Sequence, residues 1–125
     1  MRRWVGLWIV GVGVVHTGYG LVFQSWVFRE LFDDGLFNTV NGQPEREFAF
    51  WFMFFGFLAI VLGFVIDWIE RQCLRLPRYL GWSLLGLTGV LVFIMPISGG
   101  WLLAPPAIGA IVNSRRPVSG PGSNV

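Results

Sequence analysis

Polar and apolar positions along this chain fall into long blocks rather than the short alternations of a water-soluble fold. The longest apolar block, residues 48–66, contains no charge. At about 1.5 Å per residue it makes a helix of about 28 Å, close to the hydrocarbon thickness of a bilayer. A soluble core helix is rarely apolar on every side over that length. A second block opens on Trp4 after Arg2 and Arg3, with the indole at the level expected of an interface. A third follows Pro77 and Arg78. A fourth is short and carries Pro105 and Pro106, which should interrupt it. The pattern predicts an all-α fold, a four-helix transmembrane bundle with spans at 4–23, 47–68, 79–95 and 98–113, followed by a disordered cytoplasmic tail at 114–125. The apolar part of the fourth span is too short to cross alone. It must start earlier, thin the bilayer, or sit buried as an irregular helix.

The long connection between spans one and two has its own pattern. Val27 with Leu31, and Phe28 with Phe32, repeat at helical spacing before Asp33-Asp34-Gly35 stops the helix. This predicts an amphipathic interfacial segment lying on the membrane surface, then a turn at Asn41-Gly42. Pro44 suits the first turn of the next helix, and Glu45 and Glu47 favour the positive end of its dipole.

Composition agrees with lipid as the solvent. Of 125 residues, 54% are hydrophobic and 13% charged, against about 25% charged in ordinary globular chains. Every basic residue is arginine. With the N-terminus cytoplasmic, Arg2, Arg3, Arg71, Arg75, Arg78, Arg115 and Arg116 fall inside, and only Arg29 and Arg46 outside. That asymmetry places both termini in the cytoplasm of an inner (plasma) membrane protein. It also accounts for the net charge of +2 without a nucleic-acid partner. The start of the chain lacks a small-x-small cleavage site, so the first span is expected to stay. Cys73 has no second cysteine to pair with and reads as a surface thiol.

Small residues mark the expected packing faces. Gly6, Gly13 and Gly20 recur at heptad spacing in span one, with Gly11 and Gly18 one strip over; Ala49, Gly56 and Gly63 do the same in span two. In lipid, where apolar surface gains nothing by leaving its surroundings, such residues let helix backbones approach. A weaker echo links Arg3-Trp4-Val5-Gly6 and Gly11 to Arg78-Tyr79-Leu80-Gly81 and Gly86, as in a duplicated hairpin.

Candidate chemistry is sparse. No catalytic, nucleotide or metal motif is present, which argues against an enzyme and gives no reason to expect a cofactor. His16 is the only histidine. At membrane depth it is either a functional polar group or a neutral ring bonding two helices together. A ligand pocket would draw on His16, Tyr19, Glu47, Trp51 and Trp101, with Thr17 and Ser98 nearby. Against that, Glu47 also serves as a helix cap and Arg46 as a snorkelling cation. Asp67 is expected at the cytoplasmic interface, paired with Arg71 one turn on.

These residues resemble an uncharacterised family of small bacterial four-span membrane proteins. The resemblance runs through His16, residues 35–40 (Gly-Leu-Phe-Asn-Thr-Val), Pro44-Glu45-Arg46, Ala49-Phe50-Trp51-Phe52, Gly63 with Asp67, Pro96-Ile97-Ser98-Gly99, Trp101 and Pro105-Pro106. It implies a fold and a location and carries no activity. The expected function is that of an accessory or scaffold subunit packing with other membrane subunits or with copies of itself. The alternative is a binder, less readily an enzyme, of a lipid or quinone near His16.

Overall fold

The computed structural model describes residues 4–72, 75–97 and 99–115. The expectations for Arg2, Arg3, Cys73, Ser98 and the tail from Arg116 onward lie outside them, while Ser114 and Arg115, expected to open the disordered tail, are the last residues of a helix. The described residues are all-α: α1 (Val5–Phe23), α2 (Ser25–Asp33), α3 (Pro44–Arg71), α4 (Arg78–Ile94), a 3-10 turn (Gly99–Leu103) and α5 (Ala104–Arg115). Two of these helices, α1 and α3, are long and apolar enough to cross a membrane; α4 is apolar but has 17 residues. In each of the two, 28% of the most apolar window is buried, unlike the core helix of a soluble domain.

The chain divides into two compact units, one ending at Trp68 and the other beginning at Ile69. In the first, α1 and α3 run antiparallel in close contact. A methyl group on Gly6 would meet the backbone nitrogen of Asp67, with Asp67 Cα at 2.6 Å and Gly63 O at 2.7 Å. One on Gly63 would lie 2.6 Å from Val10 N, and one on Gly13 would lie 3.0 Å from Gly56 O. On Gly20 it would touch Met53 Sδ and Phe52 Cδ1, each at 2.9 Å. Methyls on Gly11 and Gly18 would meet nothing within 4 Å. Small residues therefore fill the seam, while Val15, Val22, Phe55, Val61 and Phe64 point outward and are exposed.

Ala49 is completely buried, but its neighbours come from α2. Val27 and Leu31 close over it, with Phe28 and Val40 packed alongside. The nine-residue α2 thus has the amphipathic pattern expected of the connection, and its apolar stripe docks on the second turn of α3.

In the second unit α4 and α5 also form an antiparallel pair. A methyl on Gly81 would lie 2.5 Å from Ile111 Cγ1 and 2.8 Å from Ile111 N, whereas one on Gly86 would find open space. Gly6 and Gly81 are thus both close-approach positions, and Gly11 and Gly86 are both open. Pro105 and Pro106 do not interrupt a helix. They occupy the first turn of α5 after the 3-10 turn, where a missing N–H leaves no bond unmade.

Candidate functional site

Two clusters of polar groups stand out among the described residues of the first unit. The first is the α1–α3 seam around His16. Its Nε2–H donates to the Phe52 carbonyl oxygen at 3.0 Å. A carbonyl can only accept, so the proton sits on Nε2, and a neutral ring keeps Nδ1 as an acceptor. The imidazole stacks on Phe52 with centroids 3.9 Å apart and planes 16° from parallel, and Phe55 lies tilted at 5.9 Å. Gly56 makes this approach possible, because a methyl there would meet Thr17 Oγ1 and lie 3.2 Å from His16 Cδ2. Thr17 Oγ1 is buried with no hydrogen-bond partner.

Tyr19 belongs to the same aromatic run. It stacks on Phe23 at 4.3 Å and faces Phe52 at 6.2 Å. Phe52, which links His16 to Tyr19, enters the sequence reading only within the run Ala49-Phe50-Trp51-Phe52 and not among the candidate pocket residues. In a helix dense with phenylalanine nothing local distinguishes it from its neighbours.

The other expected pocket residues are occupied elsewhere. Trp51 is 61% exposed and packs edge-on against Phe50 and Phe54, each at 5.8 Å. Glu47 accepts a hydrogen bond from the Gly42 backbone N–H at 2.8 Å, fixing the chain as it enters α3. Trp101 lies in the second unit, where its Nε1–H donates to Pro96 O at 3.0 Å. An apolar surface groove of about 320 Å³ occurs farther along α3, lined by Val61, Phe64, Val65 and Trp68. Asp67 is buried, at 5% exposure.

The second polar site surrounds Arg46, and here a freely snorkelling side chain does not describe the geometry. Arg46 bonds Asp34 Oδ2 at 2.7 Å, reaches Glu30 Oε2 at 3.5 Å, and donates through its other terminal nitrogen to Thr39 O at 3.1 Å. Its side chain is only 12% exposed. The hydrogen bond to Asp34 raises its pKa above the ordinary guanidinium value; burial opposes this, and the charges of Asp34 and Glu30 add to it. The planar fork suits three acceptors in different directions, which a lysine ammonium would not satisfy in the same way.

The loop that presents these acceptors is held in an unusual backbone. Gly35 and Gly42 have φ of 88° and 79°, as glycine permits, but Leu36 and Asn38 are also left-handed at 65° and 53°. Leu36 N–H bonds Leu31 O at 3.0 Å, Thr39 Oγ1 bonds Leu36 O at 3.1 Å, and Asn41 Nδ2 bonds Asn38 Oδ1 at 3.0 Å. Together with Arg46 these bonds determine the loop.

Among the described residues no group of three or more His, Cys, Asp or Glu side chains could hold a metal ion. A family model matches residues 1–117, nearly the whole chain. The chain belongs to DUF6463, a family of unknown function. No curated protein and no solved structure matches it. Membership in DUF6463 covers the α1–α3 seam, the Arg46 loop and the α4–α5 pair alike, and it carries no activity to any of them.

Proposed function

We propose that this DUF6463 chain is an integral membrane protein of four spans that acts as an accessory or scaffold subunit, packing laterally with other membrane helices. One observation carries the reading: α1 turns Gly6, Gly13 and Gly20, and α3 turns Gly56 and Gly63, toward each other, while most of their large apolar side chains face outward. Water would favour the reverse, because burying a Val, Leu or Phe side chain contributes about 1.5–3 kcal/mol. Lipid removes that drive and rewards close backbone packing instead.

The fourth span is the least regular. The 3-10 turn adds about 10 Å to the roughly 18 Å of α5, so the two together approach a bilayer's thickness. With both termini cytoplasmic, the excess of arginines at the inner ends fits an inner (plasma) membrane location. The outward faces of α3, rich in Phe50, Trp51, Phe54 and Phe57, are what a neighbouring subunit or a second copy would contact.

Native mass spectrometry of the protein released from nanodiscs tests the proposal. A stable oligomer or a co-purified membrane subunit is expected; a strictly monomeric, partner-free species would overturn it. The buried, unpartnered Thr17 hydroxyl beside His16 favours a second reading, in which a hydrophobic molecule with a polar head binds there. A lipid-sized mass retained by the wild type and lost from His16→Leu would decide for it.

A further inference from the structure

We propose that the tip of the loop between α2 and α3 inserts Phe32, Leu36 and Phe37 into the headgroup–acyl boundary of the membrane, and that the Arg46 clamp holds them in position. The inference rests on the membrane reading above and names the part of the chain that meets the lipid surface.

The level of the tip follows from its attachments. One residue, Gln24, separates the end of α1 from the start of α2. Val27 and Leu31 fix α2 against Ala49 near the start of α3. The segment is therefore held beside the ends of both long apolar helices, where a bilayer gives way to water. Gly35 N–H bonds Phe32 O at 3.3 Å and Leu36 N–H bonds Leu31 O, so the tip folds back over the last turn of α2.

At that level the apolar side chains divide. Val27 and Leu31 face inward, while Phe32 is 70% exposed, Leu36 54% and Phe37 92%. Leucine in the left-handed region is costly, and a loop that only had to turn could use glycine or asparagine there, as this one does at Gly35, Asn38 and Gly42. A branched apolar side chain kept in that conformation points to a use for the side chain itself.

The chemistry of the surface is set by what the clamp removes. Asp34 and Glu30 are turned onto Arg46. Residues 24–47 still carry two arginines against five carboxylates, so attraction to anionic headgroups cannot hold the segment down. Apolar insertion can, and a zwitterionic lipid surface is the occupant that fits.

The test uses the full chain with Cys73→Ser and one environment-sensitive fluorophore, placed at Phe37→Cys, Asn41→Cys or Phe57→Cys, in phosphatidylcholine vesicles. Spin-labelled phosphatidylcholine then quenches whatever it touches. The label at position 37 is expected to be blue-shifted and to lose much of its emission to a shallow quencher, while the label at 41 stays water-like. Quenching at 57 but not at 37 would overturn the inference and leave the membrane reading intact; no quenching at either would overturn the membrane reading itself. Shielding at 37 that depends on protein density rather than on the lipid quencher would make a second copy the occupant and overturn the lipid assignment. Arg46→Gln is expected to reduce quenching at 37 and leave 57 unchanged; unchanged quenching at 37 would remove the clamp from the proposal.

Discussion

Gly6→Ala places a single methyl group where the α1–α3 seam has no room. Its carbon would sit 2.6 Å from Asp67 Cα and 2.7 Å from Gly63 O and would also meet the Asp67 backbone nitrogen. Carbon atoms pack best at about 3.5–4.0 Å, so the shortfall is about 1 Å. Every obstructing atom belongs to the α3 backbone, and no side chain can rotate away. Relief requires the helices to separate and give up neighbouring contacts. Overpacking of this kind costs about 1–3 kcal/mol, and a backbone-only obstacle argues for the upper end. Alanine returns about 1 kcal/mol of helix propensity over glycine, which leaves a net loss of about 2 kcal/mol. Gly11→Ala, five residues on and facing open space, keeps the propensity gain without the clash and should be neutral or stabilising by up to about 1 kcal/mol. Reversible unfolding of both variants in mixed micelles, followed by circular dichroism, measures the difference. Gly6→Ala as stable as Gly11→Ala would refute the close-approach argument.

The α4–α5 pair should behave alike: Gly81→Ala should destabilise it by about 1–3 kcal/mol through contact with Ile111, and Gly86→Ala should not. His16→Leu removes the bond to Phe52 O and should cost about 0.5–1.5 kcal/mol, while nitrogen chemical shifts of the wild type should show the ring protonated on Nε2. Arg46→Lys keeps the charge but not the three-way fork, so amide hydrogen exchange across residues 34–42 should accelerate, and Arg46→Gln should accelerate it further; equal protection in all three proteins would contradict the clamp. Leu36→Val, a β-branched residue at φ of 65°, should destabilise the loop by about 1 kcal/mol or more, measurable by the same exchange.

How much was legible in the sequence differs between fold and site. The apolar blocks gave helices, because a chain segment without polar groups to expose must satisfy its backbone internally. The stop at Asp33-Asp34-Gly35 and the start at Pro44 coincide with the ends of α2 and α3, where local chemistry decides. The site was less legible. His16 is conspicuous as the lone histidine, but its partner is a main-chain oxygen, which carries no residue identity to recognise. Arg46 and its acceptors are brought together by left-handed backbone at Leu36 and Asn38, a conformation that asparagine tolerates but leucine disfavours and that bonds from other parts of the loop enforce.

The sequence by itself located the apolar helices, two of them long and apolar enough to cross a membrane, and showed that glycines recur every seven residues along α1. Heptad spacing alone produces two parallel strips, Gly6 with Gly13 and Gly20, and Gly11 with Gly18. Only the position of α3 selects the first as the seam and leaves the second open. Tertiary structure likewise assigned Ala49 to α2 and placed Pro105 and Pro106 in the opening turn of α5. Periodicity records which residues share a face; which neighbour covers that face depends on loops whose conformation is settled by contacts distant in sequence.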